Sequence, residues 1–227
     1  MATVSNVLTY TRQMCQTDSN GITDAQGILY TSDALQDFIR SLVERGVDAA
    51  QLQESYTTLT AGQGGYAWPD NMFALKTIEL RYGGSSQQDY IQGERVDVAN
   101  LQGDTSFDYL RVNQPSNHPL FDNRGDTYEV FPTPTTTNAG GIRIFYYILP
   151  SDYTTTADTI AYPASLDPKC LAAKNSYYYN MTLGKPDIAQ GFENEYQARL
   201  NKLIRILAPK SKQPIRAQIL NLTGWEF

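Results

Sequence analysis

The sequence predicts an α+β protein: a helical bundle from N- and C-terminal helices, with an inserted antiparallel β domain and an extended C-terminal tail. Apolar residues recur at helical spacing near both ends of the chain, whereas the middle is rich in strand-forming and turn-forming residues. Pro209 ends the last helical pattern. The expected units are the N-terminal helices at 1–52, the β domain at 53–162, the C-terminal helical hairpin at 163–208 and the docking tail at 209–227.

Two helices are predicted in the N-terminal unit. The apolar residues of 4–16 lie roughly on one helical face, and a polar, turn-rich stretch follows to about Thr31. Asp33, with Gln36 three residues later, has the pattern of a helix N-cap, which predicts that the second helix begins there. Gly46 is expected to weaken its end. The apolar residues of this helix keep the expected spacing: Leu35, Phe38, Ile39, Leu42 and Val43.

The middle of the chain has the pattern of strands separated by turns. Alternating apolar and polar residues over 74–82, closed by two glycines, predict a half-buried strand. The turn-rich connections favour antiparallel pairing over a parallel sheet with crossover helices. Further strands are expected at 55–60, 109–112, 127–131 and 142–149, and a short helix at 94–101.

Two more helices are predicted after the β domain. The first covers 167–183, with Pro168 in its first turn and Gly184 at its end. The second keeps an apolar stripe until Pro209, and the linker is so short that the two helices should form an antiparallel hairpin. One face of the first helix is expected to carry Cys170, Lys174, Tyr177, Tyr178 and Met181.

Charge is distributed unevenly along the chain. The 24 acidic and 18 basic residues give a net charge of −6, but six basic residues lie between Arg199 and Arg216, where no acidic residue occurs. The remainder therefore carries 24 acidic and 12 basic residues, a balance of −12. Such asymmetry is typical of an interaction tail or a basic face. For Arg199, Lys202 and Arg205, the solvated end of a helix explains the charge equally well.

The C-terminal tail is predicted to dock on a partner. Lys210, Lys212 and Arg216 lie beyond the last predicted helix, where basic residues favour contact with an acidic surface. Trp225 and Phe227 are costly to leave in water near a free end, which predicts that a partner surface covers them. These five residues are the candidate docking site.

Three adjacent tyrosines mark a candidate subunit interface. Tyr177, Tyr178 and Tyr179 point in different directions on a helix, so at most two can enter one core. One interpretation is packing within the helical hairpin. The other is an interface between subunits, where tyrosine is enriched because it combines apolar area with a hydroxyl group.

No catalytic residue, metal ligand or cofactor is assigned from the sequence. The sole histidine, His118, lies in a loop without a nucleophile motif, and Cys15 and Cys170 lie too far apart for metal-type spacing. A carboxylate-based hydrolase stays open as the least supported function, because its acids lack a sequence signature. Neither a run of about 18 apolar residues nor a signal-peptide pattern occurs, so no membrane partner is expected.

Two segments carry a family resemblance. Residues 30–39 (YTSDALQDFI) open a helix, and residues 162–166 (YPASL) lead into a helix, a short turn and residues 193–200 (ENEYQARL). This layout resembles the head-to-tail connector, or adaptor, proteins of tailed bacteriophages. Their paired terminal helices are similar, and the second of them ends in a Tyr-x-x-x-Leu-type stripe.

The resemblance implies a structural virion protein without catalytic residues. Such adaptors form a ring, commonly of twelve copies, and the implied partners are the portal protein, neighbouring copies and a tail or nozzle protein. Their C-terminal extension often reaches along the portal, which fits the docking expected for 209–227. DNA would pass through the ring without sequence-specific binding, because an acidic lining does not hold phosphate. The implied location is the portal–tail junction of a virion assembled in the host cytoplasm.

A second class of function stays open. The β domain could be the binding module of a tail or fibre, presenting Trp68 and tyrosines to carbohydrate or protein. The predicted helices at both ends of the chain argue against this alternative. Glycan binding by a 55–162 fragment would favour it.

Overall fold

The computed structural model describes residues 1–47, 52–83, 89–98, 106–161 and 163–207. The predicted α+β class, with helices at both ends and strands between them, is confirmed. In chain order the elements are α1 (Val4–Met14), α2 (Asp24–Glu44), β1 (Leu52–Leu59), β2 (Gly65–Ala67), β3 (Ala74–Leu80), β4 (Ile91–Gln92), β5 (Glu94–Arg95), α3 (Phe107–Asn113), β6 (Leu120–Asn123), β7 (Thr127–Phe131), β8 (Asn138–Tyr147), α4 (Pro168–Thr182) and α5 (Pro186–Leu207).

Four helices form a bundle with α4 in the middle, in contact with α1, α2 and α5. The hydroxyl oxygens of Tyr30 and Thr182 lie 3.5 Å apart, and a carboxylate oxygen of Asp37 lies 3.6 Å from the Lys174 ammonium, so α2 runs antiparallel to α4. Burial of each large aliphatic side chain contributes about 1.5–3 kcal/mol, which holds the two ends of the chain together. The core includes Val4, Val7, Leu35, Phe38, Ile39, Leu42, Leu171, Tyr196, Leu200 and Leu203.

Helix α2 begins well before Asp33, so the prediction that Asp33 is its N-cap was wrong. The Thr23 hydroxyl accepts a hydrogen bond from the Gln26 backbone N–H, and the Gln26 side chain accepts one from the Thr23 backbone N–H at 3.1 Å. Both candidate caps are followed by glutamine three residues later, so spacing alone does not separate them. The surroundings of Gly27 separate the two candidates. A Cβ at Gly27 would lie 1.8 Å from Leu8 Cδ1, so the first turns of α2 pack closely on α1.

Replacing Thr23 with alanine is expected to lower the free energy of unfolding by about 1 kcal/mol, because a cap is lost. Asp33→Asn is expected to leave it unchanged or raise it at pH 7. Burial first, then the charges of Asp152 and Asp37, raise the pKa of Asp33, which makes its ionised form unfavourable in the folded protein.

The effect of Asp33→Asn on the free energy of unfolding is expected to depend on pH. A carboxyl whose pKa is raised by folding costs stability above that pKa, and the cost disappears once the pH falls below the unfolded value of about 3.9. Any advantage of Asp33→Asn should therefore be present at pH 7 and absent at pH 3. Urea titrations of both variants test this, and a loss in Asp33→Asn equal to that in Thr23→Ala would contradict the assignment of Thr23 as the cap.

The strands form two four-stranded sheets around one apolar core. The first sheet has the order β1-β8-β3-β4 and the second β2-β7-β6-β5. All neighbouring strands are antiparallel except β5 and β6, which are parallel. Tyr147, at the end of β8, belongs to the helical core, so the central strand joins the first sheet to the bundle. The shared sheet core includes Leu59, Tyr66, Ile78, Leu80, Phe121, Tyr128, Val130, Ile142, Ile144 and Tyr146.

Strands β1, β3, β7 and β8 confirm four of the five predicted strands. The strand predicted at 109–112 was wrong, because these residues lie in α3. The side chain of Ser106 caps this helix, accepting from the Tyr109 backbone N–H at 3.1 Å. The capping signal was present in the sequence, but the β-forming side chains that follow it favoured the opposite prediction.

The short helix predicted at 94–101 was also wrong at its start. Glu94 and Arg95 form β5, in which Glu94 pairs with Leu120 of β6. Residues 99–101 lie outside the described part of the chain. The partner strand comes much later in the sequence, so the spacing of nearby residues does not indicate this pairing.

The C-terminal hairpin is confirmed as α4 and α5. Gly184 has a φ of +66° and ends α4 in a Schellman motif: its N–H donates to Met181 O, and the Lys185 N–H donates to Asn180 O at 3.0 Å. The residues predicted to share one face of α4 differ in burial: Cys170 is buried, whereas Met181 is exposed. Three helices contact α4, so its buried residues are not confined to that face. The buried residues of α4 are Cys170, Leu171, Ala172, Ala173, Asn175, Ser176 and Asn180.

Candidate functional site

A network of charged and hydroxyl groups joins α2, α4 and α5. The Lys174 ammonium lies 2.9 Å from a Glu193 carboxylate oxygen and 3.6 Å from one of Asp37. The Tyr178 hydroxyl donates a hydrogen bond to Asp37 at 2.6 Å. We call these four residues the Lys174 network. The ammonium also lies within 5.4 Å of three ring centroids, where cation–π attraction adds to the ion pairs: those of Tyr177, Tyr178 and Tyr196.

The three predicted interface tyrosines are all half-buried. Tyr178 has its polar contact inside the chain, where its hydroxyl donates to Asp37. Burial and then this hydrogen bond raise the pKa of Tyr178, so the hydroxyl stays protonated as a donor. Tyr177 contacts the Tyr178 ring edge-on, at a centroid distance of 5.5 Å. The hydroxyl of Tyr179 lies near Gly21, in the connection between α1 and α2. Packing within the bundle accounts for Tyr178, and the subunit interface stays a prediction for all three.

Tyr178→Phe is expected to lower the free energy of unfolding by about 1 kcal/mol, because the hydrogen bond to Asp37 is lost while the ring packing remains. Tyr177→Phe is the matched control, since it removes a neighbouring hydroxyl from the same helix and should change stability by less than about 0.5 kcal/mol. Urea unfolding followed by circular dichroism measures both. Equal losses in the two variants would contradict the role of the Tyr178–Asp37 bond.

The basic residues of α5 divide into two groups. Arg199 forms ion pairs inside the chain, at 3.2 Å to Asp167 and 2.9 Å to Glu195. Lys202 and Arg205 are exposed near the end of α5, from which the basic segment continues. Arg199 therefore supports the fold, whereas the other two charges face solvent. The candidate docking residues of the tail lie outside the described residues, and docking stays a prediction: Lys210, Lys212, Arg216, Trp225 and Phe227.

The β domain places Trp68 against its own core. The Trp68 and Tyr128 rings are 4.4 Å apart between centroids, and Trp68 is half-buried. An exposed aromatic platform would suit a sugar ligand better, so this packing gives little support to a carbohydrate-binding role. A groove of about 630 Å³ lies between α3 and the loop at 132–135. Arg111 carries the only formal charge among the described residues that line it.

An ion pair at this groove was not predicted from the sequence. The Arg111 guanidinium donates two hydrogen bonds to one Glu129 carboxylate oxygen, at 2.9 and 2.7 Å, and Glu129 is buried. Arg111 also lies over the Phe107 ring at 4.1 Å. Every partner of Arg111 is thus within the chain's own fold, and the pair fastens α3 to β7 as a structural contact.

The candidate catalytic side chains are dispersed. His118 is exposed in a loop. Burial first, then Asp167, raises the pKa of the Cys170 thiol to about 12, and burial raises that of Cys15, so both thiols stay protonated and unreactive at neutral pH. Within the described ranges, His, Cys, Asp and Glu form no cluster of three or more that could hold a metal ion.

In the part of the chain that the structure describes, no helix combines the length and the apolar character needed to cross a bilayer. The apolar stripe of α5, for example, is interrupted on its outer side by the exposed charges Lys202 and Arg205.

Comparison with known protein families gives a match. A family model described as SU10 adaptor protein matches residues 3–218, which is nearly the whole chain. The match covers both the helical bundle and the two sheets, and it continues into the basic segment that follows α5. No curated protein matches the chain.

Proposed function

We propose a role in joining the phage capsid to its tail, because this chain belongs to the SU10 adaptor protein family. The chain is a bacteriophage structural adaptor and a virion component, and its family is one of structural proteins rather than enzymes. We further propose that identical copies form a ring between the portal protein and the tail or nozzle protein. The observation that carries this proposal is the family match over residues 3–218.

The distribution of charge supports a path for DNA through the ring. Outside the segment from Arg199 to Arg216 the chain has a balance of −12. A lining with excess negative charge repels phosphate, so DNA could slide past without being held. A ring whose inner surface is basic would contradict this part of the proposal.

The basic end of the chain supports docking on the portal. Lys210, Lys212 and Arg216 carry three positive charges in the tail, and no acidic residue lies between them. Positive charge of this kind speeds and orients association with an acidic surface. Buried aromatic anchors contribute much of the affinity of protein interfaces, and Trp225 and Phe227 are the aromatic residues of the tail.

Imaging of the protein mixed with the portal of the same phage tests the proposal. We expect closed rings attached to one end of the portal. The number of adaptor copies in each ring should equal the number of portal subunits or keep a fixed ratio to that number. Mass measurement of the same sample gives the copy number. Absence of any complex at concentrations well above those in an infected cell would contradict the proposal.

A further inference from the structure

The two sheets differ in how well their edges are protected. Their four edge strands are β1, β4, β2 and β5. Three of these have only two or three residues, and short edge strands are a common defence against pairing with other chains. Strand β1 has eight residues. Among the described residues it has a strand neighbour on one side only, which is β8.

Strand β1 has few of the other features that discourage pairing, apart from an irregularity in its pairing with β8 between Thr57 and Leu59. Its sequence, LQESYTTL, contains neither proline nor lysine, and Glu54 is its only charged residue. Five of its eight residues are exposed. Leu52 and Tyr56 share one face with 42% and 57% of their surface accessible, and an added strand would cover them. The geometry points to a strand edge that is completed by another segment.

The tail contains a segment with matching properties. The 20 residues after Leu207 include 215–223 (IRAQILNLT), in which Ile215, Ala217 and Ile219 alternate with Arg216 and Gln218. Proline is absent from this stretch, and its one charge is opposite in sign to that of Glu54. Cross-strand pairs between aromatic and β-branched side chains stabilise sheets, so the two isoleucines suit Tyr56.

We propose that residues 215–223 of a second copy add to the β1 edge as a fifth strand of the first sheet. The inference rests on the proposed ring, in which each copy has a neighbour on either side. Fully extended, the seven residues at 208–214 span up to roughly 25 Å, so the β1 edge of the neighbouring copy lies within that distance of the end of α5. Because the tail of one copy pairs with the sheet of the next, the contact is head-to-tail, the kind that closes a ring of identical subunits.

This pairing assigns separate tasks to the parts of the tail. The stretch at 215–223 links neighbours, whereas Trp225 and Phe227 beyond it stay available for the portal. Lys210 and Lys212 lie before the added strand, on the part of the tail that crosses between subunits. The tail would thus join its neighbour and the portal at the same time.

Cysteine pairs in the full-length protein of assembled virions test the inference. Gln53→Cys or Thr58→Cys, at the two ends of β1, is combined in turn with Gln218→Cys or Asn221→Cys, so that different registers are sampled. Facing residues on adjacent strands are within the Cα distance that a disulfide spans. We expect at least one combination to give a ladder of covalent multimers on a non-reducing gel. Thr9→Cys, exposed on α1, with the same tail cysteines is the control and should give monomers.

The outcomes separate the alternatives. Monomers from every combination in intact virions would overturn the inference, as would a disulfide within one chain, which would show that the tail pairs with its own sheet. If the variants do not assemble, amide exchange of the wild-type protein serves instead. Residues 52–59 should then exchange at least tenfold more slowly in the assembly than in the dilute chain, and equal rates would overturn the inference. Portal docking without this protection leaves the proposed function intact, whereas multimers that do not bind the portal contradict that function alone.

Discussion

Deletion of residues 209–227 is expected to weaken docking on the portal at least about a hundredfold. The deletion removes three basic residues and both aromatic residues of the tail. Aromatic anchors in interfaces often contribute about 2 kcal/mol or more each, and 2.7 kcal/mol corresponds to a hundredfold change in affinity. The described residues, which end at Leu207, form both cores among themselves, so the shortened chain should keep its circular dichroism spectrum. Co-sedimentation with the portal measures the loss.

Charge variants separate the tail from the rest of the basic segment. Lys210→Gln with Lys212→Gln should weaken docking and make it less sensitive to salt, because screened charge pairs are removed. Lys202→Gln with Arg205→Gln is the matched control, since these exposed charges lie on α5 and not in the tail. Docking by the 209–227 deletion that equals docking by the full chain would contradict the assignment of the tail as the docking element.

Lys174→Ala is expected to lower the free energy of unfolding by about 3 kcal/mol. The side chain of Lys174 is only 12% exposed, and it lies between two carboxylates from different helices, Asp37 and Glu193. Removing the ammonium leaves two partly buried negative charges facing the same space, which costs more than the loss of a fully exposed ion pair. Because both partners keep partial contact with water, the lower end of the range for buried pairs applies. Urea unfolding at neutral pH measures the change.

Two further variants test the reason for that loss. Lys202→Ala removes an exposed lysine from α5 and should change the free energy of unfolding by less than about 0.5 kcal/mol. Lys174→Met keeps the aliphatic stem but removes the charge, so its free energy of unfolding should remain well below that of the wild type. A Lys174→Met protein as stable as the wild type would show that packing, rather than charge, explains the effect of Lys174→Ala.

The helices at the two ends were predictable because their signals are local. Pro168, Gly184 and the apolar stripe of the last helix are read from neighbouring residues, and α4 and α5 begin and end close to the expected positions. Helix α2 shows where this reasoning fails. Its cap, Thr23, resembles Asp33 in spacing, and contacts with α1 separate the two, such as the close approach of Gly27 and the ion pair of Asp24 with Arg12.

The β domain was less predictable because its pairings link distant parts of the chain. The Glu94–Leu120 pairing that defines β5 has no local signal, and α3 carries β-forming side chains in a helix. The order of strands in each sheet is likewise a product of the fold: β8 lies between β1 and β3 although it follows both in the sequence. It was therefore easier to predict that a segment forms a strand than to predict which strands it pairs with.

The residues of the candidate site were predictable from the sequence, but their partners in the fold were not. The basic residues and the three tyrosines were identified from composition, since clustering of one residue type is visible in a sequence. The partners of those residues were not, because Asp37 and Glu193 are brought to Lys174 by helices from opposite ends of the chain. The ion pair of Arg111 with Glu129 depends in the same way on the contact of α3 with β7.

A reconstruction of the portal vertex of intact virions tests the central claim most directly. We predict a closed ring of this α+β fold between the portal and the tail, with Trp225 and Phe227 of each copy in contact with the portal. Density for this fold only in a tail fibre, or a portal that contacts the tail without such a ring, would contradict the claim.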